Sequence, residues 1–368
     1  MRLLPTPTPE RIDETTDRPA GRHEYAISCI ESALRNKMHN QRSWIAKRRQ
    51  IDMTINNRVT TMLGVQHPIV QAPMGWIARA QLAAAVSNAG GMGIIETSSG
   101  ELDTIRGEIR KMRELTDRPF GVNIALTYVR DPAIVQFVVD EGIRFVTTSA
   151  GDPTRYCAEL KAAGLTVFHV VPTLAGALKA VAAGVDGLIV EGSEGGGFKN
   201  QRDVASMVLL PLVCSKVDVP VIAAGGFCDG ATMAAAFAMG AEGIQMGTRM
   251  LSSVESPVHD NWKNAIVDAR ETDTVFLNRG GNGPALRALR TARTSRIEEQ
   301  IPESIKNEFA GVQQLYFGGD MEAAVPLTGQ VCGRIDSVKT VRRIIEETIR
   351  DFGQAVDGLA ARYGSVKA

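Results

Sequence analysis

A glycine-rich loop after a buried strand is the stretch of this sequence best suited to hold a ligand. Residues 190–198 read VEGSEGGGF and follow the short apolar run 187–190. The three consecutive glycines, Gly195, Gly196 and Gly197, carry no Cβ and permit positive φ. A flat ring or a phosphate could therefore pack directly on main-chain amides. The alternative is a flexible surface loop without a ligand.

Two further glycine turns indicate what that ligand is. Gly225 and Gly226 follow the apolar run 221–224, and Gly247 and Thr248 follow the run 243–246, which ends in Met246. If these are the last two strands of a barrel, their loops form the usual phosphate site. The residues predict a phosphate-bearing ligand, and the alternative is that the glycines serve tight turns only.

Residues near the predicted first and third strands suit the planar part of such a ligand. Residues 72–75, Ala72-Pro73-Met74-Gly75, would present backbone and a thioether to an apolar ring. Asn123 is a polar side chain in an otherwise apolar strand, and its amide can pair with ring carbonyl and N–H groups. A buried structural asparagine is the alternative. One phosphate and one planar ring together predict flavin mononucleotide (FMN).

Short strands alternating with amphipathic helices are expected to position these residues. Eight such units predict an α/β protein with a (β/α)8 TIM barrel over residues 53–251. An open doubly wound sheet is the alternative, but G-x-G-x-x-G is missing after the first strand. Residues 252–368 are predicted to be a helical segment that covers one rim. The predicted strands lie at 69–72, 93–95, 120–124, 145–148, 167–171, 188–190, 221–224 and 243–246.

The first 52 residues differ in composition from the rest. Prolines alternate with threonines at the start, and charges are dense. We expect an N-terminal appendage that is disordered or carries one or two short helices. A translation start at Met53 is an alternative in which the leader is not made.

Composition limits the class of protein. The formal net charge is +0 at pH 7 and the pI is near 7.0, so no overall field attracts nucleic acid or an anionic membrane. The five cysteines are scattered without a C-x-x-C pair, which favours reduced thiols in the cytoplasm and no metal site. No apolar run approaches a membrane span. Whether the barrel is a monomer or a homodimer is left open.

Six motifs together resemble one family. They are residues 71–75 (QAPMG), 90–93 (GGMG), 120–123 (FGVN), 191–197 (EGSEGGG), 223–226 (AAGG) and 246–249 (MGTR). This set resembles the nitronate monooxygenase family, formerly called 2-nitropropane dioxygenases, which includes flavin-dependent enoyl-acyl-carrier-protein reductases. The resemblance implies an FMN-bearing barrel. Its implied FMN contacts are Met74, Gly75, Asn123, Gly195, Gly196, Gly225, Gly226, Met246, Gly247 and Thr248.

One position departs from the family pattern. Both branches commonly carry a histidine after the glycines, thought in the monooxygenases to be a base or proton partner near the flavin, and this chain has Phe198. A phenyl ring cannot transfer a proton, so the chemistry needs no such base or another group supplies it. The candidates are His169 on the fifth strand, Glu194 and Asp152. Their alternatives are a core histidine and solvated loop carboxylates.

Three functions follow from the resemblance. The first is an FMN-dependent oxidation of alkyl nitronates with dioxygen, which tolerates Phe198 because a nitronate arrives already deprotonated. The second is reduction of an enoyl thioester with NAD(P)H, because residues 147–153, 170–173 and 261–274 look more like the reductase branch. The third is a flavin-binding protein without catalysis. In the active cases Phe198, Met74 and Trp76 are expected to form apolar walls around the substrate.

Overall fold

Eight parallel strands form a barrel in the computed structural model, which describes residues 54–364. The described residues form eleven strands, of which β7, β10 and β11 make a separate small sheet. They are β1 (Ile69–Gln71), β2 (Gly93–Glu96), β3 (Phe120–Ala125), β4 (Phe145–Ser149), β5 (Thr166–Val171), β6 (Gly187–Glu191), β7 (Gly197–Lys199), β8 (Val221–Ala224), β9 (Gly243–Met246), β10 (Thr274–Leu277) and β11 (Ala285–Leu289). The barrel strands follow the order β1-β9-β8-β6-β5-β4-β3-β2, and a parallel bridge from Val70 to Met92 joins its two edges. The predicted TIM barrel is confirmed. The predicted appendage at residues 1–52 lies outside the described residues.

Helices pack around the barrel and continue in the C-terminal segment. They are α1 (Arg58–Leu63), α2 (Ala80–Asn88), α3 (Leu102–Leu115), α4 (Ile134–Asp140), α5 (Cys157–Ala162), α6 (Leu174–Ala182), α7 (Ser206–Cys214), α8 (Gly230–Ala238), α9 (Thr248–Leu251), α10 (Asp260–Asp268), α11 (Ala292–Glu299), α12 (Val312–Tyr316) and α13 (Val341–Tyr363). On α3 the buried residues are Ile105, Ile109 and Met112, one stripe of helical period facing the strands. None of the helices between residues 54 and 364 is long and apolar enough to cross a membrane.

Inward-facing side chains of the barrel change from apolar to polar toward the carboxyl ends of the strands. Ile94 on β2 and Ile189 on β6 belong to the apolar cluster inside the barrel. Glu96 and Glu191 follow two residues later on the same strands, so they share that inward face. Both glutamates line a cavity at the end of the barrel. The strand alternation therefore places charged groups at the cavity floor, above an apolar core.

The segment after residue 252 carries two strands in addition to its predicted helices. β10 and β11 form an antiparallel pair, and β11 also pairs with β7 in the glycine loop. β11 reads ALRAL, a composition that favours helix, and all five residues are buried. Strand pairing and burial override the weak helix propensity of five residues.

The long helix α13 of the C-terminal segment packs in the barrel wall. It contacts α8 and α2, the helices that follow β8 and β1. The helix directly after β9, α9, has only four residues. Ile345, Ile349 and Phe352 on α13 are buried, and a Cβ on Gly230 would lie 2.2 Å from the Phe352 amide nitrogen. Close packing of this amphipathic face puts α13 where the eighth barrel helix belongs.

Candidate cofactor and substrate site

A cavity of about 1000 Å³ opens at the carboxyl ends of the barrel strands. Residues from the C-terminal segment, including Trp262, Phe309 and Tyr316, complete its walls. Met246 is absent from its lining. The structure brings together at this cavity the other residues singled out from the sequence, which are Ala72, Pro73, Met74, Gly75, Trp76, Asn123, Asp152, His169, Glu194, Gly195, Gly196, Phe198, Gly225, Gly226, Gly247 and Thr248.

Met246 faces the helices because of strand alternation. Its neighbour Gln245 is paired in register with Val70, which lies inside the barrel. Met246 therefore points outward, and its side chain is fully buried in the outer core. It takes part at the site through its carbonyl oxygen, which accepts a hydrogen bond of 2.9 Å from the Ala72 amide.

The glycine turns let two loops approach more closely than any side chain would allow. Gly225 has φ of 75°, and a Cβ there would lie 2.6 Å from the Gly192 carbonyl oxygen. A Cβ on Gly196 would lie 2.7 Å from the Gly329 amide nitrogen. Bare main chain from β6 and β8 thus borders the cavity side by side. Such a surface fits a phosphate or a flat ring.

The polar groups of the floor also fit a bound ring. Gln245 lines the cavity, and its buried Oε1 has no hydrogen-bond partner among the described residues. A buried amide oxygen is usually paired, so this atom points to a ligand. Asn123 is already engaged, since its Nδ2 donates to the Thr147 carbonyl at 3.1 Å and to Thr147 Oγ1 at 3.0 Å. The rule that singled out Asn123, a polar residue in an apolar strand, would also have found Gln245.

The loop after β1 is held by a carboxylate that sequence reasoning missed. Trp76 has φ of 66°, which is strained for a bulky residue. Its amide donates to Glu96 Oε1 at 3.1 Å. Glu96 is 1% exposed, accepts from the Ser98 and Ser99 amides, and pairs with Arg79 at 3.0 Å. Glu96 therefore fixes the backbone that faces the cavity.

Comparison with known proteins identifies the family. The family model described as nitronate monooxygenase matches residues 56–132 and 126–351. The chain belongs to the nitronate monooxygenase family. Its members are oxidoreductases, and the family is flavin-dependent in general.

Three relatives illustrate the range of the family. The (3aS,4S,5R,7aS)-5-hydroxy-7a-methyl-1-oxo-octahydro-1H-indene-4-carboxyl-CoA dehydrogenase of Rhodococcus jostii is 32% identical, with 84% of this chain and 99% of that protein covered. The structure of FabK from Thermotoga maritima has a TM-score of 0.79 at 40% identity, covering 84% of this chain and 99% of FabK. The structure of nitroalkane oxidase from Streptomyces ansochromogenes has a TM-score of 0.72 at 27% identity, covering 82% and 100%.

Phe198 belongs to an aromatic wall at the mouth of the cavity. Its ring centroid lies 5.8 Å from that of Tyr128 and 5.9 Å from that of Phe309. These three residues, from the loop after β3, from β7 and from the C-terminal segment, are what we call the aromatic wall. The family position that commonly carries histidine thus contributes apolar surface in this chain.

His169 lies away from the inward-facing groups. It borders the cavity, but its neighbour Phe168 lies inside the barrel, so the imidazole faces the helices. There its Nδ1 shares a hydrogen bond of 2.7 Å with Thr148 Oγ1. Burial lowers the pKa of His169 to about 4. A neutral imidazole on the helix side is not placed to give a proton to a ligand over the floor.

We expect His169 to make the protein sensitive to acid. An unfolded histidine has a pKa near 6.5, so below that value the unfolded chain binds the extra proton and stability falls until the folded pKa near 4 is reached. We measure the free energy of unfolding by urea titration at about pH 7 and about pH 4.5. The loss between these pH values should be about 2 kcal/mol smaller in His169→Gln than in the wild type. Equal losses in both proteins would contradict this assignment.

The two carboxylates proposed from the sequence are also committed elsewhere. Glu194 accepts from the Ser206 amide at 3.0 Å and from Ser206 Oγ at 2.7 Å, at the start of α7. A carboxylate at that position stabilises the helix terminus. Hydrogen bonds from Lys179 and Thr154 lower the pKa of Asp152 to about 2. Both carboxylates are thus held by neighbouring groups and not by a ligand.

A buried ion pair inside the cavity was missed by the sequence reasoning. Lys199 on β7 is 8% exposed, and its ammonium donates to Glu191 Oε1. Both residues line the cavity. The signal in the sequence was Lys199 directly after Phe198, but its partner could be recognised only once β7 was folded back. Within residues 54–364 no cluster of three or more metal-ligating side chains occurs.

Proposed function

We propose that this member of the nitronate monooxygenase family is an FMN-dependent oxidoreductase that reduces a conjugated acyl thioester with NAD(P)H. The observation that carries the proposal is the composition of the cavity, which combines a glycine and amide floor with the aromatic wall. Its volume of about 1000 Å³ is at the upper end for ligand pockets, so it has room for a planar cofactor and an apolar acyl group together. A small nitronate would leave the aromatic wall in water.

The proposed cofactor contacts are those predicted from the sequence, with two changes. Ala72, Pro73, Met74, Gly75 and Asn123 would flank the ring, and Gly195 and Gly196 would border it. Gly225, Gly226, Gly247 and Thr248 would hold the phosphate. Gln245 is added for its unpaired oxygen, and Met246 contributes only its backbone. Bound FMN would supply the reversible acceptance of a hydride that none of the side chains can provide.

The chain's own residues have two further tasks in this proposal. The aromatic wall excludes water and buries the apolar part of the substrate, which favours binding in proportion to the area covered. Glu96 keeps the strained Trp76 backbone in one conformation, so the floor is preorganised before the ligands arrive. Similarity to the CoA thioester dehydrogenase and to FabK supports the thioester class.

Oxidation of alkyl nitronates with dioxygen is the second candidate. Its support is the family model and the position of Phe198, because a nitronate is already an anion and needs no base. Neither His169 nor Glu194 provides one in this geometry.

The test begins with the visible spectrum of protein mixed with FMN and desalted. Bands near ~370 and ~450 nm at about one flavin per chain are expected. Anaerobic NADH or NADPH should then bleach the flavin, and crotonyl-CoA should restore its colour. Failure with both nicotinamides would remove the reductase, and oxygen uptake with propionate 3-nitronate would then support the second candidate. A colourless protein would contradict the proposal that the chain binds FMN.

A further inference from the structure

The buried ammonium of Lys199 lines the cavity but has no role in the proposed function. The Lys199 side chain is 5% exposed, and Glu191, which holds it, is 25% exposed. Burial of an ammonium is costly, and a single carboxylate repays that cost only in part. Binding of a negatively charged ligand group by the ammonium would explain why Lys199 is buried here.

The ammonium lies under the glycine loop and faces the cavity. A Cβ on Gly195 would lie 2.9 Å from Lys199 Nζ and 2.6 Å from Glu191 Oε1. Phe198 and Lys199 are neighbours on β7, so their side chains leave the strand on opposite faces. Phe198 joins the aromatic wall at the mouth while Lys199 turns inward to Glu191.

The ammonium has donors to spare. A lysine ammonium carries three N–H donors, and Glu191 is the one hydrogen-bond acceptor that Nζ meets within the described part of the chain. The other charged groups at the cavity have full sets of partners or face water. Glu96 holds the Trp76 loop, Glu194 caps α7, and Lys179 is half exposed beside Asp152. Lys199 is thus the buried cation that a ligand in the cavity can reach.

We propose that Lys199, held by Glu191, binds the planar oxyanion of the substrate's reacting group. In a thioester this is the carbonyl oxygen, which gains negative charge as the conjugated system accepts a hydride. In a nitronate it is one of the two oxygens that share the negative charge. Hydrogen bonds from an ammonium to an oxyanion are about twice as strong as neutral ones, and more so in a cavity with few waters. The site serves the proposed function and rests on it.

The test measures binding and not turnover. Benzoate carries a planar oxyanion on a ring that fits the aromatic wall, and benzamide has the same shape without the charge. Calorimetric titration of the FMN-loaded protein should show tighter binding of benzoate than of benzamide. In Lys199→Met the benzoate affinity should fall by about 10-fold or more, while benzamide changes by no more than about 2-fold. Lys199→Arg should keep much of the preference.

Removing the partner should have the opposite effect. Glu191→Gln leaves the ammonium uncompensated, so benzoate should bind more tightly than to the wild type. Lys199→Met leaves the Glu191 carboxylate without its partner, which could prevent folding. The double variant Glu191→Gln with Lys199→Met avoids this, and it should also lack the preference for benzoate. Lys161→Met removes a surface lysine paired with Asp186 and is the matched control without effect.

Two results would overturn the proposal. One is a ratio of benzoate to benzamide affinity that is the same in the wild type and in Lys199→Met. The other is loss of FMN affinity in Lys199→Met with the benzoate preference intact, which would assign the cation to the cofactor. Failure of the wild type to retain FMN would sink the proposed function instead, and the same titrations of the apoprotein would still decide on Lys199.

Discussion

Gly225→Ala is expected to lose about 3 kcal/mol of stability and about 100-fold in FMN affinity. An alanine held at φ of 75° costs about 1–2 kcal/mol. Its methyl group would also lie 2.6 Å from the Gly192 carbonyl oxygen, and such overpacking adds about 1–3 kcal/mol. The loops after β6 and β8 can relieve the clash only by separating, which opens the surface proposed for FMN. A loss of about 3 kcal/mol in cofactor binding corresponds to about 100-fold.

Gly164→Ala is the matched control for this experiment. Gly164 has φ of 79°, close to that of Gly225, but a Cβ there meets nothing within 4 Å. The control therefore carries the conformational cost alone. Stability is measured by urea unfolding and FMN affinity by quenching of flavin fluorescence. Equal behaviour of the two variants in both measurements would show that the close approach of the loops does not matter.

Glu96→Ala is expected to destabilise the protein by about 3–5 kcal/mol, the usual cost of breaking a buried ion pair. The substitution leaves Arg79, whose side chain is 13% exposed, without its carboxylate. It also removes the acceptor of the Trp76, Ser98 and Ser99 amides. The strained Trp76 backbone should then relax, and FMN retention should fall together with stability.

Glu101→Ala tests whether burial is the cause. Glu101 pairs with Arg130 at 3.1 Å, but both side chains are largely exposed, at 74% and 66%. Exposed pairs contribute about 0–1 kcal/mol, so urea unfolding of this variant should resemble that of the wild type. A loss in Glu96→Ala no larger than in Glu101→Ala would remove Glu96 from its assigned role.

The barrel was predictable because its pattern repeats. Each predicted barrel strand matches an observed one to within two residues at either end, as for 221–224 and 243–246, which are unchanged in β8 and β9. Short apolar runs bounded by glycine or proline are typical of buried parallel strands. The glycine turns after β6, β8 and β9 followed from their positions after apolar runs, and they do border one cavity.

The sequence did not predict which way the side chains on these strands point. Strands that are buried on both faces carry apolar residues on both, so the residue types do not show whether a side chain faces the barrel interior or the helices. For this reason Met246 was expected at the cavity although it faces the helices, and His169 was proposed as a proton-transfer group although its partner is Thr148. Register with a neighbouring strand decides the face, and register exists only in the folded sheet.

The sequence by itself determined the barrel, the family and the three glycine turns of the site, because these depend on local residue types and on spacing within single units. Only the tertiary structure decided that β11 pairs with β7, that α13 completes the barrel wall, and that Lys199 meets Glu191. Each of these contacts joins segments whose pairing depends on packing and not on local propensity. Burial and strand pairing select the partner in such cases, and neither is encoded in a short stretch of residues.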